Sequence, residues 1–512
     1  MRILVACGRE TSSNLGVSQA SRIRELERQV RERDAAIAGL ERQIRERDAV
    51  IAKLLVRIDV LEARVQELEE KLGTNSRNSS KPPSSDPPST PAPERKPPTG
   101  RKPGGQPGHE GHQRALVPLE RVGRVTVVKP ERCERCDAKL DGDDPDPLRH
   151  QVFDLPKIEP SVEEWQLHAR TCRVPGCGHV TRAKLPEGVP ARSFGPGVDA
   201  AIGVLMGDYG LSKRDVPEVM HDLFGLDMSV GAVIGCQDEV SAALEPPVEE
   251  VKAHVIVQPV KNADETSWRQ GPKRSRVWLW GLITPLATFF MIHSRRNADA
   301  ARKLLGKVFG ILVSDRHGAY NWWPDTLRQF CWAHLKRDLV KIAERGGESA
   351  RIGLAMLEEE ARMFAWWYRV RDGTLKRSSF KVYMRSVQHR FRALLIEGET
   401  VAHPKTRKTC KLLLKHFDAL WTFVYHEGVE PTNNAAEQGV RHGVLLRKVS
   451  GGTHSEAGSR FIERMLTTRA TLRQQQRNVY EFVRQACEAR LHGLTPPSLL
   501  PGYPDNAMAI AA

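Results

Sequence analysis

The chain has 512 residues, room for about three to four domains at ~150 residues each. It is 40% hydrophobic, enough for ordinary cores, yet no apolar run reaches the ~18–20 residues that a membrane-spanning helix needs, and the stretch from Met1 to Cys7 is too short for a secretory signal. Its 78 Lys and Arg against 63 Asp and Glu leave a formal charge of +15, which suits a polyanionic partner because each neutralised phosphate releases condensed counterions; membrane and secreted classes are set aside and the cytoplasm is expected.

From the N-terminus, residues 17–73 read as a coiled coil. Ile23, Val30, Ile37, Ile44, Ile51, Ile58, Val65 and Leu72 fall seven apart, with Leu26, Leu40, Leu54, Leu61 and Leu68 at the partner positions. β-Branched residues at the first position with Leu at the second favour a parallel two-stranded coil, a leucine zipper, so a homodimer is expected. Arg33 and Arg47 interrupt the Leu series, and Leu26-Glu-Arg-Gln-Val-Arg-Glu-Arg-Asp returns at Leu40 as an internal repeat. Residues 74–114 are rich in Ser, Pro and Gly and basic, and read as a linker; its motif from Arg101 to His112 could also follow a phosphate backbone.

Residues 115–190 carry Cys133-x₂-Cys136 and Cys172-x₄-Cys177, separated by strand-like segments at Gln151–Leu155 and Val162–Ala169. Two thiolate knuckles in a basic chain without a secretory signal point to a structural Zn²⁺ site, with His179 as a substitute ligand. Residues 191–250 turn helical. A helix start after Leu211, a turn at Gly225 and a Ser229 cap give a helix-turn-helix-like pattern in which Lys213 and Arg214 are candidate DNA contacts.

Residues 251–490 alternate apolar strands with one amphipathic helix. Val277–Thr284, Thr288–His293, Ile311–Ser314 and the segment from Arg328 read as strands, and Asn297–Phe309 as a helix ended by Gly310. Together with a strand at Asp264 that order is ribonuclease-H-like, giving a multidomain α+β chain. A basic, Trp-containing helical insertion is expected at about 340–430, where Trp366, Trp367 and Trp421 could stack on DNA; residues 491–512 are a C-terminal tail. Three carboxylates stand out: Asp264 on the first strand, Asp315 just after the Ile311–Ser314 strand, and Glu437 in a helix start with Thr432, Asn433 and Asn434 as capping candidates. Three acids from separate elements on a basic chain are what a two-metal phosphoryl-transfer site needs, because Mg²⁺ or Mn²⁺ is held by few carboxylates and keeps positions open for phosphate and water.

The blocks Asp264-Glu-Thr-Ser-Trp-Arg, Val313-Ser-Asp-Arg-His-Gly-Ala-Tyr, Cys331-Trp-Ala-His334-Leu-Lys-Arg and Asn433-Asn-Ala-Ala-Glu437 follow one another in order. With the zipper, Asn75-Ser-Arg-Asn-Ser-Ser-Lys-Pro-Pro and Gly104-Gly-Gln-Pro-Gly-His, they resemble the large transposase of the insertion sequence 66 family from about residue 23 to 490. The resemblance implies a DDE transposase with Asp264, Asp315 and Glu437 as the catalytic, metal-binding triad. It implies cleavage at element ends to expose a 3′-OH that attacks target DNA, both steps served by the same carboxylates. Cys331 and His334 read as a structural motif, with metal binding as the alternative. The family's Glu segment is usually followed by an Arg-rich stretch and Gly-Arg-Lys-Asn; this chain has Gly439-Val-Arg441-His and then Leu446-Arg447-Lys448, so basic residues are kept while the local sequence departs. Arg441, Arg447 and Lys448 are therefore candidate DNA contacts. Double-stranded DNA and small accessory proteins of the same element are the implied partners. The competing reading is a non-catalytic zinc-containing DNA-binding regulator derived from a transposase, against which the three carboxylates speak.

Overall fold

The computed structural model describes residues 11–73 and 114–500, in two compact units divided between Pro91 and Ala92. The linker, but for Arg114, lies outside the described residues, as do residues 501–512. In the first unit a single helix, α1 (Thr11–Gly73), runs 63 residues, about 95 Å at ~1.5 Å per residue. Ile23, Leu26, Val30, Leu40, Ile44, Ile51, Leu54, Ile58, Leu61 and Val65 along it are each roughly half-exposed (47–59%), so the heptad positions form a stripe that the helix alone leaves in water.

The second unit starts with a segment that has almost no core. No residue from 114 to 198 is buried. Its pairing is limited to the antiparallel contact of β1 (Ala169–Thr171) with β2 (Val180–Arg182) and an isolated antiparallel bridge between Arg132 and Lys139. The strands expected at Gln151–Leu155 and Val162–Ala169 are therefore not formed, apart from Ala169 itself. Their apolar side chains have no second sheet or helix to cover them, and such a strand gains little over an extended loop.

Three helices follow: α2 (Pro196–Gly207), α3 (Asp215–Phe224) and α4 (Val230–Ile256). Gly225 ends α3 at φ 62°, a left-handed position open to glycine. Ser229 caps α4 by accepting from the Ala232 N–H at 3.2 Å. The expected boundary at residue 250 falls inside α4, and α2 to α4 share one apolar core with the sheet that follows.

That sheet has five strands: β3 (Val260–Gln270), β4 (Ser275–Ile283), β5 (Thr288–His293), β6 (Ile311–Ser314) and β7 (Arg328–Phe330), ordered β5-β4-β3-β6-β7. The first three are antiparallel neighbours; β6 and β7 run parallel to β3. Between β5 and β6 lies α5 (Ala298–Leu305), N-capped by Asn297, which accepts from Ala300 N–H at 3.1 Å. It stops at Gly306, φ 67°, rather than at Gly310, and leaves Val308 and Phe309 exposed instead of on its apolar face.

After β7 come α6 (Trp332–Ala343), α7 (Gly347–Arg371), α8 (Arg377–Gly398), α9 (Pro404–Lys415) and α10 (Thr422–Tyr425). They close a second core around Trp332, Trp367, Phe380, Phe391, Trp421 and Phe423. The chain leaves and rejoins the sheet at one place, where Trp332 N–H donates to Pro431 O at 2.9 Å. Three helices complete the unit: α11 (Asn434–Ser450), α12 (Glu456–Gln474) and α13 (Val479–Leu491).

The outer strand β5 would present an unpaired backbone edge, and α12 covers it. Thr471 Oγ1 accepts from Thr288 N–H at 3.1 Å, Thr467 Oγ1 from Phe290 N–H at 3.0 Å, and a Glu463 carboxylate oxygen from Ile292 N–H. Four residues of helix advance about 6 Å and two of strand about 6.6 Å, so every fourth side chain of α12 meets every second amide of β5. Burial pushes the Glu463 carboxyl up to about 7. The described chain is thus a mixed α+β structure, and none of its helices is long and apolar enough to cross a membrane.

Candidate active site

Asp264 lies in the middle of β3, and its neighbour Glu265 necessarily points to the opposite face. The Asp264 face looks toward α11. On it Asn262 donates to Asn433 Oδ1 at 3.0 Å, and Thr266 Oγ1 accepts from Arg447 at 3.1 Å. The parallel register pairs Asn262 with Val313; carried two residues further, it sets Asp315 beside Asp264, one step past the end of β6. Asp315 Oδ1 accepts from His317 N–H at 2.9 Å. Beneath this loop the buried Arg328 donates to Asp315 O at 2.9 Å, Asn321 Oδ1 at 3.1 Å and Ser314 Oγ at 3.3 Å. Burial brings its guanidinium down to about 10, and the carbonyls it gathers fix the path of the Asp315 turn.

Glu437 sits in the first turn of α11. Asn433 precedes that helix but does not cap it with its side chain. Its amide instead donates to Ala263 O at 2.8 Å while its Oδ1 accepts from Asn262, which ties α11 to the strand of Asp264. Glycine then brings helix and sheet together. A Cβ on Gly439 would stand 2.7 Å from Ile283 Cγ1, one on Gly443 2.4 Å from Leu279 Cδ2, and one on Gly281 of β4 2.9 Å from Val440 Cγ1. Gly443→Val is expected to lift α11 from β4 and destabilise the chain by about 2 kcal/mol, read as a lowered melting temperature together with reduced activity. A variant with an unchanged melt would show that the helix does not need this close approach.

On the other face, Glu265 accepts from Arg296 Nε at 2.7 Å and from the Tyr320 hydroxyl. Arg296 stands 3.9 Å from Asp315 as well. Burial raises the Asp264 carboxyl well above the usual carboxylate range, and repulsion from Glu265, Asp315 and Glu437 adds to the rise. Burial and then Asp315 also raise Glu265, opposed by Tyr320 and Arg296. Glu437 Oε1 is buried with no hydrogen-bond partner among the described residues. Mutually repelling carboxylates with one shared arginine fit a divalent cation held by oxygen donors.

Among the described residues, the donors drawn within 4.8 Å of one another as a set of three are Cys331, His334 and Glu437. The three acids of the expected triad are not gathered as such a set, although Asp315 and Glu437 lie close enough to Asp264 to raise its carboxyl. The four knuckle cysteines are gathered only in pairs. The Arg135 and Cys136 N–H groups lower the Cys133 thiol, and the His179 N–H and Cys172 lower that of Cys177. Arg214, Arg441 and Lys448 are exposed and Lys213 half-exposed, whereas Arg447 is turned inward onto Thr266 and Ser267. Trp367 and Trp421 are core residues, so neither is free to stack on DNA; Trp366 packs on Tyr383 with ring centroids 4.6 Å apart. Arg296 and Arg328 carry no signature that sequence reading could use, because each acquires its role only once the fold is formed; Tyr320 and Asn433 lay within the quoted blocks, and Glu265 was visible as a second acid beside Asp264.

A family model described as the transposase IS66 family matches residues 194–460, just over half of the chain. A second, for a family of unknown function designated DUF6444, matches residues 17–115. The chain is also similar to the uncharacterized protein y4hP of Sinorhizobium fredii, with 24% identity over 395 residues that cover 68% of this chain and 69% of the relative.

Proposed function

Because the chain belongs to the IS66 family of transposases, we propose that it is a DDE transposase that cuts at the ends of its own element and joins them to target DNA. The observation that carries the reading is the convergence of Asp264, Asp315 and Glu437 from β3, the end of β6 and α11, close enough that Asp315 and Glu437 both repel the Asp264 carboxylate. The strand order, three antiparallel strands with two parallel ones beyond β3, supports a ribonuclease-H-like reading of the sheet. When bound, Mg²⁺ or Mn²⁺ would supply Lewis-acid stabilisation of charge on the phosphoryl oxygens. The chain's own part is placement. Arg328 and the His317 amide hold Asp315, Asn433 and the α11 glycines hold Glu437, and Arg296 fixes Glu265 behind Asp264.

The path of DNA follows from α11. Glu437, Arg441 and Lys448 recur at four and eleven residues, which places them on one helical face. Both cations are exposed, so a strand entering at Glu437 would meet phosphate contacts along the helix. Lys405, Arg407, Lys408, Lys411 and Lys415 give α9 a second exposed basic surface, and Lys213 and Arg214 at the start of α3 a third.

The Cys133, Cys136, Cys172 and Cys177 segment is read as a zinc module, since without buried residues it has little else to order it. Cys133→Ser or Cys172→Ser should release about one zinc per chain and open residues 131–180 to protease. A zinc-free wild type with this region still resistant would refute the assignment.

The reading as a whole is tested by single-turnover incubation of the purified chain and Mg²⁺ with a duplex carrying the terminal sequence that flanks its gene. Cleavage that leaves a 3′-OH at the element end is expected. Tight binding of that duplex with no cleavage would turn the reading to a non-catalytic DNA-binding regulator.

A further inference from the structure

Cys331, His334 and Glu437 bring a thiol, an imidazole and a carboxylate within 4.8 Å of one another. Cys331 and His334 lie three residues apart at the start of α6 and so share a face. Glu437 reaches them from α11, across the point where the helical insertion leaves and rejoins the sheet. Two backbone links clip the segments together there: Trp332 N–H to Pro431 O at 2.9 Å, and Asn433 N–H to Cys331 Sγ at 3.1 Å. Cys331 is wholly buried. His334 Nδ1 and Glu437 Oε1 are buried, 3.5 Å apart, and neither has a hydrogen-bond partner among the described residues. That separation is long for a good hydrogen bond and short enough for two donors on one ion.

We propose that these three residues form a second metal site, for a zinc-class ion, distinct in chemistry from the all-oxygen site and sharing Glu437 with it. Sulfur and nitrogen donors select a borderline ion over Mg²⁺. At about 2.3 Å to sulfur and 2.0–2.2 Å to nitrogen and oxygen, donors on one tetrahedral ion stand about 3.3–3.7 Å apart, so side-chain adjustments of about 1 Å close the set. The N–H directed at Cys331 Sγ is the kind of outer contact that steadies a thiolate ligand. An ion there ties α6 to α11 and holds Glu437 by one oxygen. It does not depend on the chain being an active transposase.

The test uses the full chain, stripped of metal and reloaded with Zn²⁺ or with Co²⁺ as a spectroscopic probe. The wild type is expected to retain about one ion per chain more than Cys331→Ala or His334→Gln, and each variant should lose a thiolate-to-cobalt charge-transfer band. Cys133→Ser should leave that band in place, which separates this site from the knuckles. Circular dichroism confirms folding, and if Cys331→Ala does not fold, His334→Gln at its partly exposed position decides alone. Folded variants with the wild-type metal content and cobalt spectrum would overturn the proposal.

Discussion

Replacing Asp264 or Asp315 by Asn, or Glu437 by Gln, is expected to lower end cleavage and strand joining by about a thousandfold or more while duplex binding stays within about threefold. The exposed cations that would carry DNA affinity lie elsewhere on α11, α9 and α3, whereas Asp264 lies close enough to Asp315 and Glu437 to be repelled by both. Asp264 offers a second readout. Its folded carboxyl titrates well above the usual range through burial and then repulsion from Glu265, Asp315 and Glu437. A group raised in this way favours folding below its ordinary value near ~4, and that contribution is lost as pH rises through the folded value. Metal-free wild type should therefore lose stability relative to Asp264→Asn as pH rises from acid to neutral, by an amount on the order of 1 kcal/mol. An inactive but stabilised variant is the signature of a carboxylate kept for chemistry at a cost to the fold. Thermal melts in chelator and single-turnover cleavage measure the two effects. A variant that cleaves at near wild-type rate removes its residue from the triad.

Local pattern showed much of this sheet in advance. Thr288–His293 holds a continuous apolar run, Phe289 to Ile292, between Pro285 and Ser294, and Ile311–Ser314 is a short apolar run ended by Ser-Asp; both became strands at those positions. Two kinds of feature were out of reach. One is the choice between equivalent signals. Gly306 and Gly310 both take positive φ, and only the packing of Leu304 and Leu305 decides that the first ends α5. The other is any role created by register. Arg328 reads as one more cation in a basic chain until β7 pairs with β6 and buries it behind Asp315. Asn433 reads as a helix cap until α11 is drawn against β3, where the Ala263 carbonyl and Asn262 take up its side chain. The strands at Gln151–Leu155 and Val162–Ala169 failed for the converse reason: strand-like apolar residues without a partner surface specify nothing.

Removing residues 17–73 is expected to turn a dimer into a weakly associating chain and to abolish complexes that hold two element ends, while single-end binding persists. The ten apolar side chains along α1 are left half-exposed. Taking each the rest of the way out of water contributes about 1 kcal/mol, from both helices of a pair, which exceeds the ~4–15 kcal/mol cost of associating two chains. Arg33 and Arg47 within the Leu series weaken the seam locally and would favour one register over its neighbours. Two ends must be held together if both are to attack one target, and a two-fold coiled coil supplies two copies of the active site with a fixed count. The proposed contacts to a single end all lie beyond residue 100, outside the deleted segment. Sedimentation of the full chain, the truncated chain and the isolated 17–73 peptide measures the association, and native gels with labelled ends measure pairing. A peptide that stays monomeric at micromolar concentration, or a truncated chain that still pairs ends, would place dimerisation elsewhere and leave the α1 stripe for a different partner.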